Sequence, residues 1–259
     1  MYFDTHAHYD NPRFDTDRDA LLESLPAHGI SLVLVPGYDM PSSRRAVRLA
    51  ETYPFIYAAV GFHPHDCKNM IEGDLERLET LTQHPRVVAV GEIGLDYHYD
   101  HSPREMQRTR FCEQMALARK VRLPVIVHQR EAAADTLDVL RDFPDVHGVV
   151  HCFSGSVETA REMLDMGWYL SFTGVITYKN AQKSHDVIRF APKDRIMLET
   201  DAPYMAPEPH RRERCSSLYM PEITGALAAI WGTSVEEAAR ITTENGKRLF
   251  GIYSRSSLK

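Results

Sequence analysis

Two histidine pairs in H-x-H spacing stand near the start of this chain, His6 with His8 and His63 with His65. Residues two apart on an extended segment point to the same side, so His6 and His8 can offer both imidazoles to one ion. Further along, an acid or an imidazole follows each of several apolar runs: Glu92 in GEIGLDY, His128 in PVIVHQR, His151 in GVVHCFSG and Asp201 in MLETDAPY. Each alone reads as an ordinary polar residue at a strand end. Together they form a donor set of imidazoles and carboxylates that suits two divalent ions of the Zn, Mn, Mg or Co kind. The chemistry expected of such a pair is hydrolysis, because two ions activate a water and neutralise charge on the group it attacks. Within the set His6, His8, Glu92, His128, His151 and Asp201 are the expected metal ligands, Glu92 and Asp201 the expected catalytic carboxylates. Asp201 is the residue best suited to orient the water and take its proton.

Other residues carry weaker signals. His63, His65 and Arg130 are expected to face a substrate phosphate, and a third metal at the second H-x-H is the less favoured reading. Asp4 shares the strand face of His6 and can serve as an acceptor that fixes an imidazole tautomer, although a plain buried acid fits nearly as well. Asp96 and Tyr97 either border the cleft or form a turn. Cys152, next to His151, should point away from it into the core.

The elements that must position these groups alternate along the chain. Short apolar runs at 2–8, 30–36, 56–62, 87–93, 124–128, 147–151, 168–172 and 196–200 read as strands buried on both faces. Helical patterns lie between them near 71–82, 103–121, 131–141 and 156–166, the second opening on Ser102-Pro103 as an N-cap and first-turn pair. Eight such units predict a (β/α)8 TIM barrel as one domain over residues 1–259, whose strand ends gather at one face and place the candidate ligands there. An open doubly wound sheet is the runner-up. The stretch SVEEAARITTENGKRLFG adds a C-terminal helix, with Ser234 and Glu237 in capping-box spacing.

Composition bounds the rest. The chain is 43% hydrophobic and 25% charged, the profile of a globular protein. Its net charge of −6 argues against a broad basic surface that grips nucleic acid nonspecifically. A phosphate substrate held by metal ions remains compatible with it, since the ions bring their own charge. No apolar run approaches the roughly 20 residues of a membrane span. The opening MYFDTHAHYD lacks the basic and apolar regions of a secretory signal. Four cysteines without C-x-x-C spacing read as reduced thiols, so a cytoplasmic enzyme is expected. Nothing in the residues fixes an oligomeric state, and a monomer is the default.

Taken in order, FDTHAH (3–8), VGFHPH (60–65), VGEIGLDY (90–97), VIVHQR (125–130), HCFSG (151–155), TGVITYKNA (173–181), ETDAPY (199–204) and NGKRLFG (245–251) resemble the TatD family of metal-dependent deoxyribonucleases, within the amidohydrolase-like barrels. The resemblance covers nearly the whole chain. It implies that His6, His8 and Asp201 bind one metal, that Glu92 bridges, and that His128 and His151 hold the second. It also implies hydrolysis of phosphodiesters, with DNA as the expected substrate. One segment departs: where family members carry an Arg-Asn-Glu-Pro-like stretch, this chain reads EPHRRERCSSLYMP (208–221). That departure bears on which phosphodiester is cleaved, and Arg211, Arg212 and Arg214 within it are candidate phosphate contacts. An amidohydrolase acting on a small amide, lactone or phosphoester is the alternative, and a non-catalytic metal-binding scaffold is a further one. Related amide-hydrolysing barrels bridge their metals with a carboxylated lysine on the fourth strand, and VVAVGEIGLDY contains no lysine, which favours the phosphodiesterase branch.

Overall fold

Apolar runs that alternate with amphipathic stretches bury the former as strands and the latter around them, and the computed structural model, which describes residues 1–253, shows the result. Eight strands lie side by side in chain order, all parallel. They are β1 (Tyr2–Asp4), β2 (Ile30–Pro36), β3 (Ile56–Val60), β4 (Val87–Asp96), β5 (Val125–Arg130), β6 (Gly148–Val150), β7 (Tyr169–Phe172) and β8 (Ile196–Leu198). The helices are α1 (Arg18–Ser24), α2 (Met40–Thr52), α3 (Asp74–Thr82), α4 (Arg104–Val121), α5 (Ala133–Asp142), α6 (Val157–Asp165), α7 (Gln182–Phe190), α8 (Met220–Trp231) and α9 (Val235–Phe250). The last strand meets the first through Thr5 N to Leu198 O (3.2 Å), Asp201 N to His6 O (2.9 Å) and His8 N to Ala202 O (2.7 Å). Those bonds curl the sheet into a (β/α)8 barrel, and the open doubly wound sheet is ruled out.

Burial on both strand faces follows from this geometry, since helices cover the outside while side chains fill the inside. All ten residues of β4 are buried. Phe3, Leu34, Ala59, Ala89, Ile126, Val149 and Met197 form one buried cluster with Phe250 and Ile252. Phe250, at the end of α9, stands edge-on to Phe3 with ring centroids 6.1 Å apart. The C-terminal helix thereby closes the end at which the strands begin. The approach is so close that a Cβ on Gly246 would lie 2.7 Å from Phe3 Cδ1, which only glycine avoids. The opposite end, where the strands finish, is left as the mouth.

Local details depart from the sequence reading. Regular β1 pairing stops at Asp4 rather than at residue 8; beyond it Thr5 N and His8 N bond β8 and the segment after it, while Ala7 N still reaches Leu34 O of β2 (3.0 Å). β4 runs to Asp96 instead of ending at 93. Its register to β5 shifts between Val90 and Ile93, and Glu92 donates its N–H to Gly37 O at 2.6 Å instead. Ser102 does not cap α4; its hydroxyl donates to His65 O (2.9 Å), tying the α4 entry to the loop after β3. Ser234 Oγ does accept from Glu237 N (3.2 Å), but the Glu237 side chain turns to Arg240, so only half of the capping box forms.

Candidate metal centre

The loops and strand ends at the mouth converge on Glu92, which is 3% exposed. The register shift of β4 falls at this residue, and its two carboxylate oxygens face different groups. Oε2 lies 3.2 Å from His6 Nε2 and 3.5 Å from His8 Nε2. The same two nitrogens stand 3.1 Å apart and reach Asp201 Oδ1 at 3.7 and 3.5 Å. Oε1 lies 3.0 Å from His128 Nδ1, 2.8 Å from His151 Nε2 and 3.3 Å from His63 Nε2. The other five residues expected to be ligands are thus gathered about Glu92, three on one side and two on the other, with His63 added to the second side. His6 and His151 stack, with centroids 4.0 Å apart and planes at 8°, which joins the two sides.

So many imidazole nitrogens around acceptors, at distances where each could share an ion, is an arrangement that divalent metals fit. His6, His8 and Glu92 offer three ligand atoms within 4.8 Å of one another, and so do His63, Glu92 and His128. The outward nitrogens point the same way. Nδ1 of His6 and of His8 is buried without a hydrogen-bond partner among the described residues, so each is free to carry the proton while Nε2 stays bare. His128 Nε2 faces Asp96 Oδ2 at 3.0 Å, which directs the proton to Nε2 and leaves Nδ1 toward Glu92. Glu199 Oε1 lies 3.4 Å from His151 Nδ1, short of hydrogen-bond alignment, and Glu199 is itself held by Ser171 Oγ and Cys152 N at 2.6 Å each.

Charge in this cluster is distributed unevenly. Burial pushes Glu92 toward protonation, but the imidazoles of His151, His63 and His6 outweigh it and hold the carboxyl well below its usual range. Burial likewise disfavours charge on His8, yet the carboxylates of Asp201 and Glu92 raise it to about 9. His151 is pushed well above its ordinary value by Glu92 and Glu199, against burial. For His63 burial wins and drives the value down to about 3. Burial would raise Asp96, but hydrogen bonds from His128, His65 and the Tyr99 backbone hold it far below the carboxylate range.

Above the cluster opens a cavity of about 650 Å³, whose lining includes His63, His65, Tyr99, Arg130, Asp201 and Tyr204. His65 Nε2 lies 3.0 Å from Asp96 Oδ2, and the Arg130 guanidinium sits 4.7 Å from the Tyr99 ring centre. Arg130 has no ion pair among the described residues. Tyr99 and Tyr204 are half-exposed at the rim.

Two expectations change here. Asp4 touches no imidazole: Oδ1 accepts from Thr200 N (2.9 Å), and Oδ2 from Thr200 Oγ1 and Ser217 Oγ (2.6 Å each), so it fastens β1 to the segments after β8. Cys152 lines the mouth rather than the core. β6 ends at Val150 and Cys152 adopts φ +45°, so strand alternation does not govern its direction. Glu199 is a site residue that the sequence reading does not single out, although its spacing from Asp201 in E-T-D is a signal. Of the three arginines in the departing loop, Arg214 is committed to Asp17 through two bonds of 2.7 and 2.5 Å.

With this geometry in hand, comparison with known proteins is specific. Residues 3–251 match the family model described as TatD related DNase. The chain is 44% identical over 254 residues to the metal-dependent hydrolase YabD of Bacillus subtilis, covering 97% of this chain and all of that one. It is 32% identical to a protein of Klebsiella pneumoniae named 3'-5' ssDNA/RNA exonuclease TatD, covering 96% and 98%. Among solved structures, the TatD homologue YjjV of Escherichia coli superposes with a TM-score of 0.91 at 33% identity, covering 97% and 98%.

Proposed function

The chain belongs to the TatD family of metal-dependent hydrolases, and from that premise we propose that it cleaves phosphodiester bonds, with DNA as the substrate, in a single barrel domain that holds two divalent ions. The observation that carries this reading is the division of labour on Glu92, whose Oε2 faces His6 and His8 while Oε1 faces His128 and His151. One carboxylate with an imidazole pair on each oxygen is the arrangement a bridging ligand needs. In this reading His6, His8 and Asp201 hold the first ion, His128 and His151 the second, and Glu92 spans both. When bound, the ions supply an activated water and neutralise charge on the phosphate.

The chain's own residues do the rest. Asp201, kept ionised against the effect of burial by the neighbouring imidazoles of His8 and His6, orients the attacking water and accepts its proton. Asp96 stands behind His128 and fixes its ring orientation, and Glu199 stands 3.4 Å behind His151 Nδ1. His65 and Arg130 line the side of the cavity where a phosphate and its flanking nucleotide would lie, and Arg130 offers a guanidinium that no carboxylate occupies. A nucleic acid whose scissile phosphate sits on the metal centre brings unpaired bases past the half-exposed ring of Tyr204 at the rim, which suits base stacking, whereas the Tyr99 ring already carries Arg130 and His101. The Klebsiella relative named as an exonuclease supports a nucleic-acid substrate. Glu92 at the place of a carboxylated lysine speaks against the amide-hydrolysing alternative.

A turnover screen tests the proposal. Metal-reconstituted protein should hydrolyse a chromogenic phosphodiester and shorten a single-stranded oligonucleotide. Hydrolysis of cyclic amides or lactones with no phosphodiester turnover under Zn, Mn, Mg or Co would replace it with the amidohydrolase reading, and no turnover of any panel member would leave a binding scaffold.

A further inference from the structure

One imidazole in the mouth commits its nitrogens differently from the others. His63 lies with Nε2 3.3 Å from Glu92 Oε1 and groups by distance with Glu92 and His128, which by proximity alone would make it a seventh ligand. Its second nitrogen decides otherwise. His63 Nδ1 accepts a hydrogen bond from the backbone N–H of His65 at 3.1 Å. A ring nitrogen that accepts carries no proton, and a neutral imidazole has one proton, so that proton is on Nε2. Coordination through Nε2 requires the reverse arrangement. It would put a proton on Nδ1 and set two N–H groups against each other across the same 3.1 Å.

The expected ligands show the opposite pattern. Nδ1 of His6 and His8 meets no donor among the described residues, His151 Nδ1 looks toward a carboxylate, and His128 presents Nδ1 because Asp96 holds Nε2. The conflict at His63 is built into the chain, because the locking group is a backbone N–H that follows Pro64, whose ring fixes the local turn. Rotation of the His65 side chain does not relieve it, and turning the His63 ring over would take Nε2 away from Glu92 Oε1 as well as Nδ1 from the N–H. Glu92 Oε1, the carboxylate oxygen nearest His63 Nε2, already faces His128 and His151, and His63 lines the cavity.

We propose that His63 is a ligand of neither ion and instead presents Nε2–H as a fixed hydrogen-bond donor to a substrate phosphate oxygen, on the side of the cavity bounded by His128 and His151. The substrate half of this inference rests on the phosphodiesterase reading above; the tautomer does not. A preoriented donor of this kind stabilises charge that grows on the phosphate oxygens during attack, and loss of one such donor costs on the order of 10²-fold or more in kcat.

The test joins two readouts on the zinc-loaded full chain. Proton–nitrogen correlation spectra of protein labelled with 15N-histidine report which ring nitrogen of each imidazole carries the proton, with His63→Ala identifying the His63 signals. The expected result is a protonated Nε2 and a bare Nδ1 on His63, with His6, His8 and His151 coordinated through Nε2. His63→Ala and His63→Gln should retain the wild-type zinc content and lose about 10²-fold in kcat on a chromogenic phosphodiester. A zinc-coordinated Nε2 on His63, or loss of one zinc per chain in the variants, would overturn the proposal in favour of a seventh ligand. Unchanged kcat would remove the donor role. Absence of phosphodiester turnover by the wild type would sink the function reading and the donor role with it, while the spectrum of the wild type still decides the tautomer.

Discussion

The Nε2 of His128 and the Oδ2 of Asp96 stand 3.0 Å apart, and the same oxygen lies 3.0 Å from His65 Nε2. Asp96 Oδ1 is meanwhile taken by the backbone N–H groups of His98 and Tyr99. This carboxylate therefore settles, from behind, which nitrogen His128 turns toward Glu92.

Asp96→Asn converts that relationship into a test. The amide oxygen would keep the two backbone bonds, which places its NH2 against His128 Nε2. His128 would then move its proton to Nδ1 and lose its bare nitrogen on the Glu92 side. The expected outcome is a roughly 10- to 100-fold weaker affinity for one of two ions, the usual cost of losing a partner behind a ligand, with kcat largely restored at saturating metal. Metal titration followed by calorimetry checks this. Equal affinities in wild type and variant would mean that Asp96 only shapes the loop.

Metal removal tests the centre as a whole. Exhaustive chelation should abolish hydrolysis, and Zn, Mn or Mg should restore it, with about two ions bound per chain. Because both clusters depend on Glu92, Glu92→Ala should weaken both ions, whereas His6→Ala should weaken mainly one. Metal analysis after dialysis distinguishes these outcomes, and full activity in a metal-free preparation would refute the two-metal reading.

The parts of this arrangement that are legible in the sequence share a physical origin. Strands buried on both faces must be apolar, so runs such as SLVLV (31–35) and VVAVGEI (87–93) announce themselves, and the candidate ligands stand out as polar residues at their ends. What cannot be read there depends on departures from regular structure. The register of β4 to β5 shifts between Val90 and Ile93, at Glu92, and β4 runs on to Asp96; strand alternation carries no sign of either. The role of Asp4 is hidden because its partners, Thr200 and Ser217, are about 200 residues away in the chain. The tautomer of His63 hangs on a single backbone N–H, which no residue type reports.

Proton release should accompany metal uptake. Carboxylates of Asp201 and Glu92 outweigh burial and raise His8 to about 9 in the metal-free protein, above the roughly 6.5 of an unfolded histidine. The stability this contributes is complete below about pH 6.5 and disappears as pH rises through about 9. A ligand must be neutral, so an ion binding at pH 7 displaces that proton. Apparent affinity should therefore rise about tenfold per pH unit for each proton released, and level off above pH 9. Calorimetry in buffers of different ionisation enthalpy counts the protons directly. Affinity independent of pH between 6 and 9 would show that His8 is already neutral.

In the proposed reaction the water-activation step depends on Asp201. Asp201→Asn keeps the side chain's shape and removes both its charge and its capacity to take a proton. The loss in kcat should be at least about 10²-fold, the lower end of general-base contributions. The barrel should survive, since the residue lies at the mouth and its backbone N–H bond to His6 O is unaffected. Measuring kcat at saturating metal separates the base from the ligand role. A near-normal value there would assign proton transfer to another group.

Of the three arginines in the 208–221 segment, one is tied to the fold and two are not. Arg214 donates to both oxygens of Asp17 and to Arg13 O at 2.8 Å, which pins the loop to the segment before α1. Arg211 lies over the Tyr178 ring at 4.3 Å and only 4.0 Å from Glu208, while Arg212 is exposed and has no ion pair among the described residues. Arg214→Ala should therefore lower the melting temperature and leave KM for an oligonucleotide unchanged. The Arg211→Ala, Arg212→Ala double variant should do the reverse: KM rises, and the slope of log affinity against log salt flattens by about one for each phosphate no longer neutralised. Turnover of a small chromogenic phosphodiester should stay constant in all of these, because it needs only the metal centre. A rise in oligonucleotide KM for Arg214→Ala equal to that of the double variant, at unchanged melting temperature, would mean that Arg214 leaves Asp17 to grip substrate and that the pairing with Asp17 belongs to the resting protein alone.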